Sequence, residues 1–231
     1  EGVPIEKTLS ALTVKGFTYQ LVITVFVIIG LLMGGGTIIK DSGYVIFLIV
    51  GFIYNLILAL FLLGISSSKR FNKFVLRLIE KFAEKSKGLR KRKDSIMESI
   101  ANYYDNTQRM YHDFKYFIKI LVNTILKVFI IYSIPIVVFY GLGLNVKDSW
   151  PEIFALSSLM AIIVSVIPTP GGVVASEAAF LILFGLIYTQ TSSVEAGLLI
   201  WRLFSYYIVI ILGLIATLYL QTKEPANKRK G

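Results

Sequence analysis

Long apolar runs constrain this chain more than any other feature of its sequence. They predict spans over residues 19–39, 44–64, 116–140, 153–167, 175–190 and 196–220. A helix needs about 20 apolar residues to cross the hydrocarbon core of a bilayer. The chain is 55% hydrophobic, whereas a soluble domain is usually about 45–50% apolar. The pattern predicts an all-α integral membrane protein, a polytopic helical bundle with residues 1–231 in a single transmembrane domain.

Basic residues predict which ends of the spans face the cytoplasm. Lys and Arg are concentrated in a loop over residues 66–115 and in the tail after the last span. Under the positive-inside rule both regions are cytoplasmic, and so are the N- and C-termini of this multi-pass cell-membrane protein. The short connection over residues 145–152 then lies outside. The net charge of +10 therefore indicates anionic inner-leaflet lipids as partners, and no nucleic acid.

The basic loop itself contains helical patterns. Its apolar residues recur on one helix face, which predicts a cytoplasmic amphipathic helix: Phe71, Phe74, Val75, Leu78, Ile79 and Phe82. Such a helix either lies on the inner leaflet or packs on the bundle. Residues 94–115 predict a second, polar helix.

Several kinds of chemistry are disfavoured. The chain has no cysteine and one histidine, His112, so we expect no metal site, no cofactor and no cysteine nucleophile. No nucleophile–base constellation is visible either, so we expect no catalytic residues and no enzymatic activity in this chain.

The fourth and fifth spans flank a segment that cannot continue a helix. It reads Pro168, Thr169, Pro170, Gly171 and Gly172; proline removes backbone donors and glycine relaxes steric limits. Each flanking run has only about 15 residues, roughly 22 Å of helix. This favours a re-entrant pair meeting within the membrane, enclosed by protein or lining a cavity. Two full crossings joined by a cytoplasmic hairpin remain the alternative.

Charged side chains near this break are the candidate site. We expect a helix to begin near Ala175, with Ser176 as its N-cap and Glu177 in its first turn, where the helix dipole favours an anion. Arg202 lies inside the last span, where a charge costs about 2.5–3.5 kcal/mol. We therefore expect Arg202 to pair with Glu177 or share its cavity, unless it reaches the outer interface. Tyr206 follows at i+4 on the same face.

Two other polar positions lie within spans. Lys127 follows Lys119 and Asn123 along one stripe of the third span, and its depth suggests contact with a phosphate. Asn55, in the second span, predicts a hydrogen bond between helices.

The motif around the break resembles that of a known family. The run from Pro168 to Gly172, then Glu177, Gly185, Trp201-Arg202 and Tyr206-Tyr207, resembles the transmembrane flippase domain of lysylphosphatidylglycerol synthases, the multiple peptide resistance proteins. Val173-Val174-Ala175 stands where that family usually has Gly-x-Gly, which should stiffen the break. Since the chain begins at Glu1, we expect it to start inside a longer reading frame, without the family's first spans.

The resemblance implies translocation of an aminoacylated phospholipid between leaflets. Such lipids reduce the negative charge of the cell surface and thereby give resistance to cationic peptides and some antibiotics. The implied lipid-binding residues are Pro168, Thr169, Pro170, Gly171, Gly172, Ser176, Glu177, Arg202, Tyr206 and Lys127. The bifunctional relatives are phosphatidylglycerol lysyltransferases, and we expect no part of their soluble transferase domain within these residues. A secondary transporter for a small solute or lipid-linked sugar, or the membrane part of a lysyltransferase, stays an alternative. A homo-oligomer is left open.

Overall fold

The structure is a computed structural model that describes residues 5–34, 42–67, 93–166 and 173–223, with residues 70, 73, 74 and 77. Regular structure in this part of the chain is entirely helical. The helices are α1 (Ile5–Gly34), α2 (Ser42–Ser67), α3 (Lys93–His112), α4 (Phe114–Gly141), α5 (Trp150–Val166), α6 (Val173–Phe184), α7 (Thr191–Arg202) and α8 (Ile208–Lys223). A π-helical turn, Leu203–Tyr207, joins α7 to α8.

Three helical stretches are long and apolar enough to cross a membrane. They are Glu6–Gly34, Phe114–Gly141 and Thr191–Leu220. Shorter apolar helices cover Leu48–Gly64, Trp150–Ser165 and Val173–Phe184. The predicted class, a helical membrane protein, is confirmed.

The first helix extends well beyond the predicted span. It begins at Ile5 rather than near Tyr19. Hydroxyl groups in its polar N-terminal half bond back to the preceding turn, as Thr13 does to the Leu9 carbonyl oxygen at 3.0 Å. Because these hydroxyl groups find hydrogen-bond partners in their own helix, the helix can continue through a polar stretch of sequence.

The described residues divide into two compact units. The first comprises Glu1–Ile29 and Asp41–Phe129, and the second comprises Gly30–Lys40 and Ile130–Gly231. This division does not decide how many transmembrane domains the chain forms, so the single domain stays a prediction.

In the first unit, the polar helix α3 is present as predicted and is joined to α1 and α2 by hydrogen bonds. The Tyr103 hydroxyl donates to Thr13 Oγ1 at 2.9 Å, and Ser99 Oγ donates to Glu6 Oε1 at 2.7 Å. Gln108 Nε2 donates to the Ser66 carbonyl oxygen at 2.7 Å. These bonds give polar side chains of α3 hydrogen-bond partners within the protein, so this polar helix can pack against α1 and α2.

In the second unit, α5 is enclosed by protein. All residues from Ile153 to Met160 are buried, as expected for a helix that is apolar on every side. Ser157 and Ser158 are buried with them and donate to carbonyl oxygens of their own helix. Helix α6 packs on α5, and α7 packs on α6. The predicted shortness of this pair is confirmed, at 17 and 12 residues.

Two predictions fall largely outside the described residues. The amphipathic helix over residues 71–82 is one, since only Phe74 of its apolar face is described. The break over residues 168–172 is the other. The re-entrant arrangement of the two short helices, which depends on this break, therefore stays a prediction.

Candidate functional site

Arg202, the last residue of α7, donates three hydrogen bonds within the second unit. It is only 6% exposed. Its Nε donates to Glu177 Oε1 at 3.0 Å. Its Nη2 donates to Ser176 Oγ at 2.6 Å and to the carbonyl oxygen of Val173. The expected pairing of Glu177 with Arg202 is therefore observed.

Ser176 has a different role from the predicted one. Helix α6 begins at Val173, so Ser176 lies inside the helix and is not its N-cap; Glu177 likewise lies beyond the first turn. The Ser176 hydroxyl donates to the Val173 carbonyl oxygen at 2.9 Å and accepts from Arg202. The N-cap prediction is wrong because nothing in Val173-Val174-Ala175 prevents a helix, and good helix geometry there costs little.

Glu177 is the more exposed partner of the ion pair with Arg202. Its side chain is 40% exposed, against 7% for that of Arg202. A carboxylate has about four lone-pair sites, and the bond from Arg202 uses Oε1 only. Glu177 therefore keeps capacity for a second cationic or hydrogen-bonding partner, whereas Arg202 is largely committed to the protein.

Aromatic rings enclose the guanidinium group. Its central carbon lies 5.1 Å from the Trp201 ring centroid and 5.5 Å from that of Tyr206, within the range of cation–π attraction. The prediction that Tyr206 shares the Arg202 side of the helix is confirmed. The intervening π-helical turn was not predicted; such turns occur often at functional sites.

A cluster of aromatic residues positions Trp201, and with it Arg202. Phe180 lies 5.1 Å from Trp201 and 4.4 Å from Phe184, centroid to centroid. Phe139 lies 5.1 Å from Phe184. Phe139, Phe180 and Phe184 are all 0% exposed, so α4, α6 and α7 are held in one register.

Two buried polar atoms beside Arg202 have no hydrogen-bond partner in the described part of the chain. They are Trp201 Nε1 and Ser205 Oγ. Ser205 was not predicted as a site residue, because a serine in an apolar helix usually bonds to its own backbone. The π-helical turn, which disturbs that local pattern, is not visible from sequence.

The remaining predicted site residues are placed differently. Pro168, Thr169, Pro170, Gly171 and Gly172 lie outside the described residues. Lys127 belongs to the first unit, where its Nζ lies 5.5 Å from the Tyr19 ring centroid. The described residues contain no group of three or more His, Cys, Asp or Glu side chains that could hold a metal.

The fold and the site together define a helical membrane protein in which a buried Arg202 is paired with a partly exposed Glu177. The family model described as the lysylphosphatidylglycerol synthase TM region matches residues 1–213. The chain belongs to this family. A search of the curated proteins and a search of the solved structures each found no match to this chain.

Proposed function

We propose that this chain translocates an aminoacylated phospholipid, such as one with a lysyl head group, between the leaflets of the cell membrane. The observation that carries this proposal is the ion pair of Arg202 with a Glu177 side chain that is still 40% exposed. A carboxylate held in an apolar protein can bind an amine that must leave water on its way across.

The two charges have different roles in this proposal. Arg202 is the positioning residue, because its bonds to Glu177, Ser176 and the Val173 carbonyl oxygen leave it little freedom. Glu177 is the residue that contacts the head-group amine, and the Tyr206 ring adds a cation-attracting face. The Pro168–Gly172 segment, from sequence alone, would line the same route, while acyl tails stay in the bilayer.

The membrane topology is part of the proposal. The termini and the basic loop face the cytoplasm, with the loop held near anionic lipids. In this proposal the lipid enters from the inner leaflet and is released to the outer leaflet.

Lipid flux in proteoliposomes tests the proposal. A fluorescent lysyl-phosphatidylglycerol analogue would be placed in one leaflet and its transfer followed by quenching from outside. We expect Glu177→Gln and Arg202→Ala each to lower flux about tenfold or more, since about 1.4 kcal/mol of lost binding corresponds to a factor of ten. Flux that both variants leave unchanged contradicts the proposal.

Glu195→Gln is the matched control. Glu195 lies on α7 and is exposed, so its replacement removes the same charge from the same unit without touching Arg202. We expect wild-type flux from this variant. Uptake of a small solute driven by a pH gradient, with no lipid flux, would instead support a secondary transporter.

A further inference from the structure

A cavity of about 540 Å³ lies between α1 and α4 within the first unit. Each helix contributes four residues at i, i+3, i+4 and i+7, the spacing of a single helix face. The lining residues are Leu12, Lys15, Gly16, Tyr19, Ile120, Asn123, Thr124 and Lys127. One face of α1 and one face of α4 therefore line the same cavity.

The charge of this cavity has one sign. Its lining contains the Lys15 and Lys127 side chains and no carboxylate. Within the described ranges, neither lysine forms an ion pair; Lys127 instead lies over the Tyr19 ring, 5.5 Å from its centroid. The Asn123 side chain adds hydrogen-bond donors from the same wall.

Lys127 lies well inside the apolar helix α4, whereas Lys15 lies in the polar N-terminal half of α1, and both lysine side chains are exposed. At helical rise, Lys127 is roughly 20 Å from Phe114 along α4, and Lys15 is roughly 14 Å from Glu6 along α1. Both helices are long and apolar enough to span a bilayer. A cation at the depth of Lys127 is costly unless an anion or water compensates it, and the cavity, which Lys15 also lines, has room for an anion.

We infer that this cavity binds a phosphate group, held by the ammonium groups of Lys15 and Lys127 and the amide of Asn123. The volume is within the range of roughly 300–1,000 Å³ that is usual for small-ligand sites and is larger than phosphate alone needs. The group belongs either to a phospholipid head group or to free phosphate. The inference does not use Glu177 or Arg202, so it stands whether or not the chain translocates lipid.

Binding to the purified full chain tests the inference. The probes are a soluble short-chain phosphatidylglycerol, inorganic phosphate, and a short-chain diacylglycerol that lacks phosphate. The variants are Lys15→Gln, Lys127→Gln and the double replacement. Lys119→Gln is the matched control, because Lys119 is an exposed lysine of α4 that does not line the cavity.

We expect short-chain phosphatidylglycerol to bind, and each cavity variant to bind it about tenfold more weakly, as for loss of one charged hydrogen bond. Equal binding of inorganic phosphate identifies free phosphate as a ligand; much weaker binding identifies the lipid head group. Binding of the diacylglycerol as tightly as the phospholipid overturns the inference. So does an equal loss in Lys119→Gln.

A measurement on the wild-type chain avoids any dependence on how the variants fold. An amine-reactive reagent would label the lysines with and without the phospholipid, and mass spectrometry would quantify each site. We expect the ligand to protect Lys15 and Lys127 and to leave Lys119 unprotected. Labelling of Lys15 and Lys127 that the ligand does not change overturns the inference.

Discussion

Asn55 illustrates how a single buried polar group can act against stability. Its side chain is 1% exposed in α2, and neither Nδ2 nor Oδ1 has a hydrogen-bond partner among the described residues. The predicted bond between helices is therefore not observed. Burying an amide without partners costs about 1–3 kcal/mol, so this residue is retained at a cost to the fold.

We therefore predict that Asn55→Leu raises stability by about 1–3 kcal/mol, since leucine has a similar size and no polar atoms. Thermal unfolding in detergent, followed by circular dichroism, measures the change. Asn102→Leu is the control, because Asn102 is exposed on α3 and should leave the midpoint nearly unchanged. A lower midpoint for Asn55→Leu would mean that Asn55 has a partner in the membrane.

Ser176, Glu177 and Arg202 show which part of a site a sequence can predict. The cost of a lone charge in an apolar helix predicts that Arg202 has a partner, and Glu177 is the acid that the sequence places near the same break. The same reasoning could not place Ser176, because whether a hydroxyl caps a helix or faces another helix depends on where the helix begins.

Helix α1 ends against the start of α5 at Gly34, where a side chain has no room. A Cβ there would lie 2.6 Å from Glu152 Cα and 2.6 Å from the Pro151 carbonyl oxygen. Both atoms belong to the backbone, so neither can rotate away. Gly30 is similarly close to α5, with 3.0 Å to Ala155 Cα.

We predict that Gly34→Ala destabilises the protein by about 1–3 kcal/mol, because the added methyl group forces the helices apart. The unfolding midpoint should fall by several degrees. Gly213→Ala provides the comparison: nothing lies within 4 Å of its Cβ position, and alanine favours a helix by about 1 kcal/mol over glycine. Equal midpoints for the two variants would contradict the close approach.

Cysteine labelling can test on which side of the membrane each connection between the spans lies. The chain contains no cysteine, so each introduced cysteine is the only thiol present. Asp148 and Thr189 are exposed and lie between helices. Positive-inside topology places both outside and places Ser86, in the basic loop, in the cytoplasm.

We predict that a membrane-impermeant maleimide labels Asp148→Cys and Thr189→Cys from outside intact cells, and labels Ser86→Cys only after the membrane is opened. Thr169→Cys distinguishes the two arrangements of the short helices. If the short helices form a re-entrant pair, the maleimide labels Thr169→Cys from outside the cells or does not label it at all. Labelling of Thr169→Cys solely from the cytoplasmic side would establish two full crossings.

From the amino-acid sequence one can predict the membrane class, the two short helices, the polar helix α3 and the pairing of Arg202 with Glu177. These follow from transfer free energies and helix periodicity, which are properties of neighbouring residues. Tertiary structure alone decided that Ser176 and the Val173 carbonyl oxygen bond to Arg202, that a π-helical turn follows it, and that Lys15 and Lys127 share a cavity. Such contacts depend on the register of packed helices, and register is set by many side chains at once.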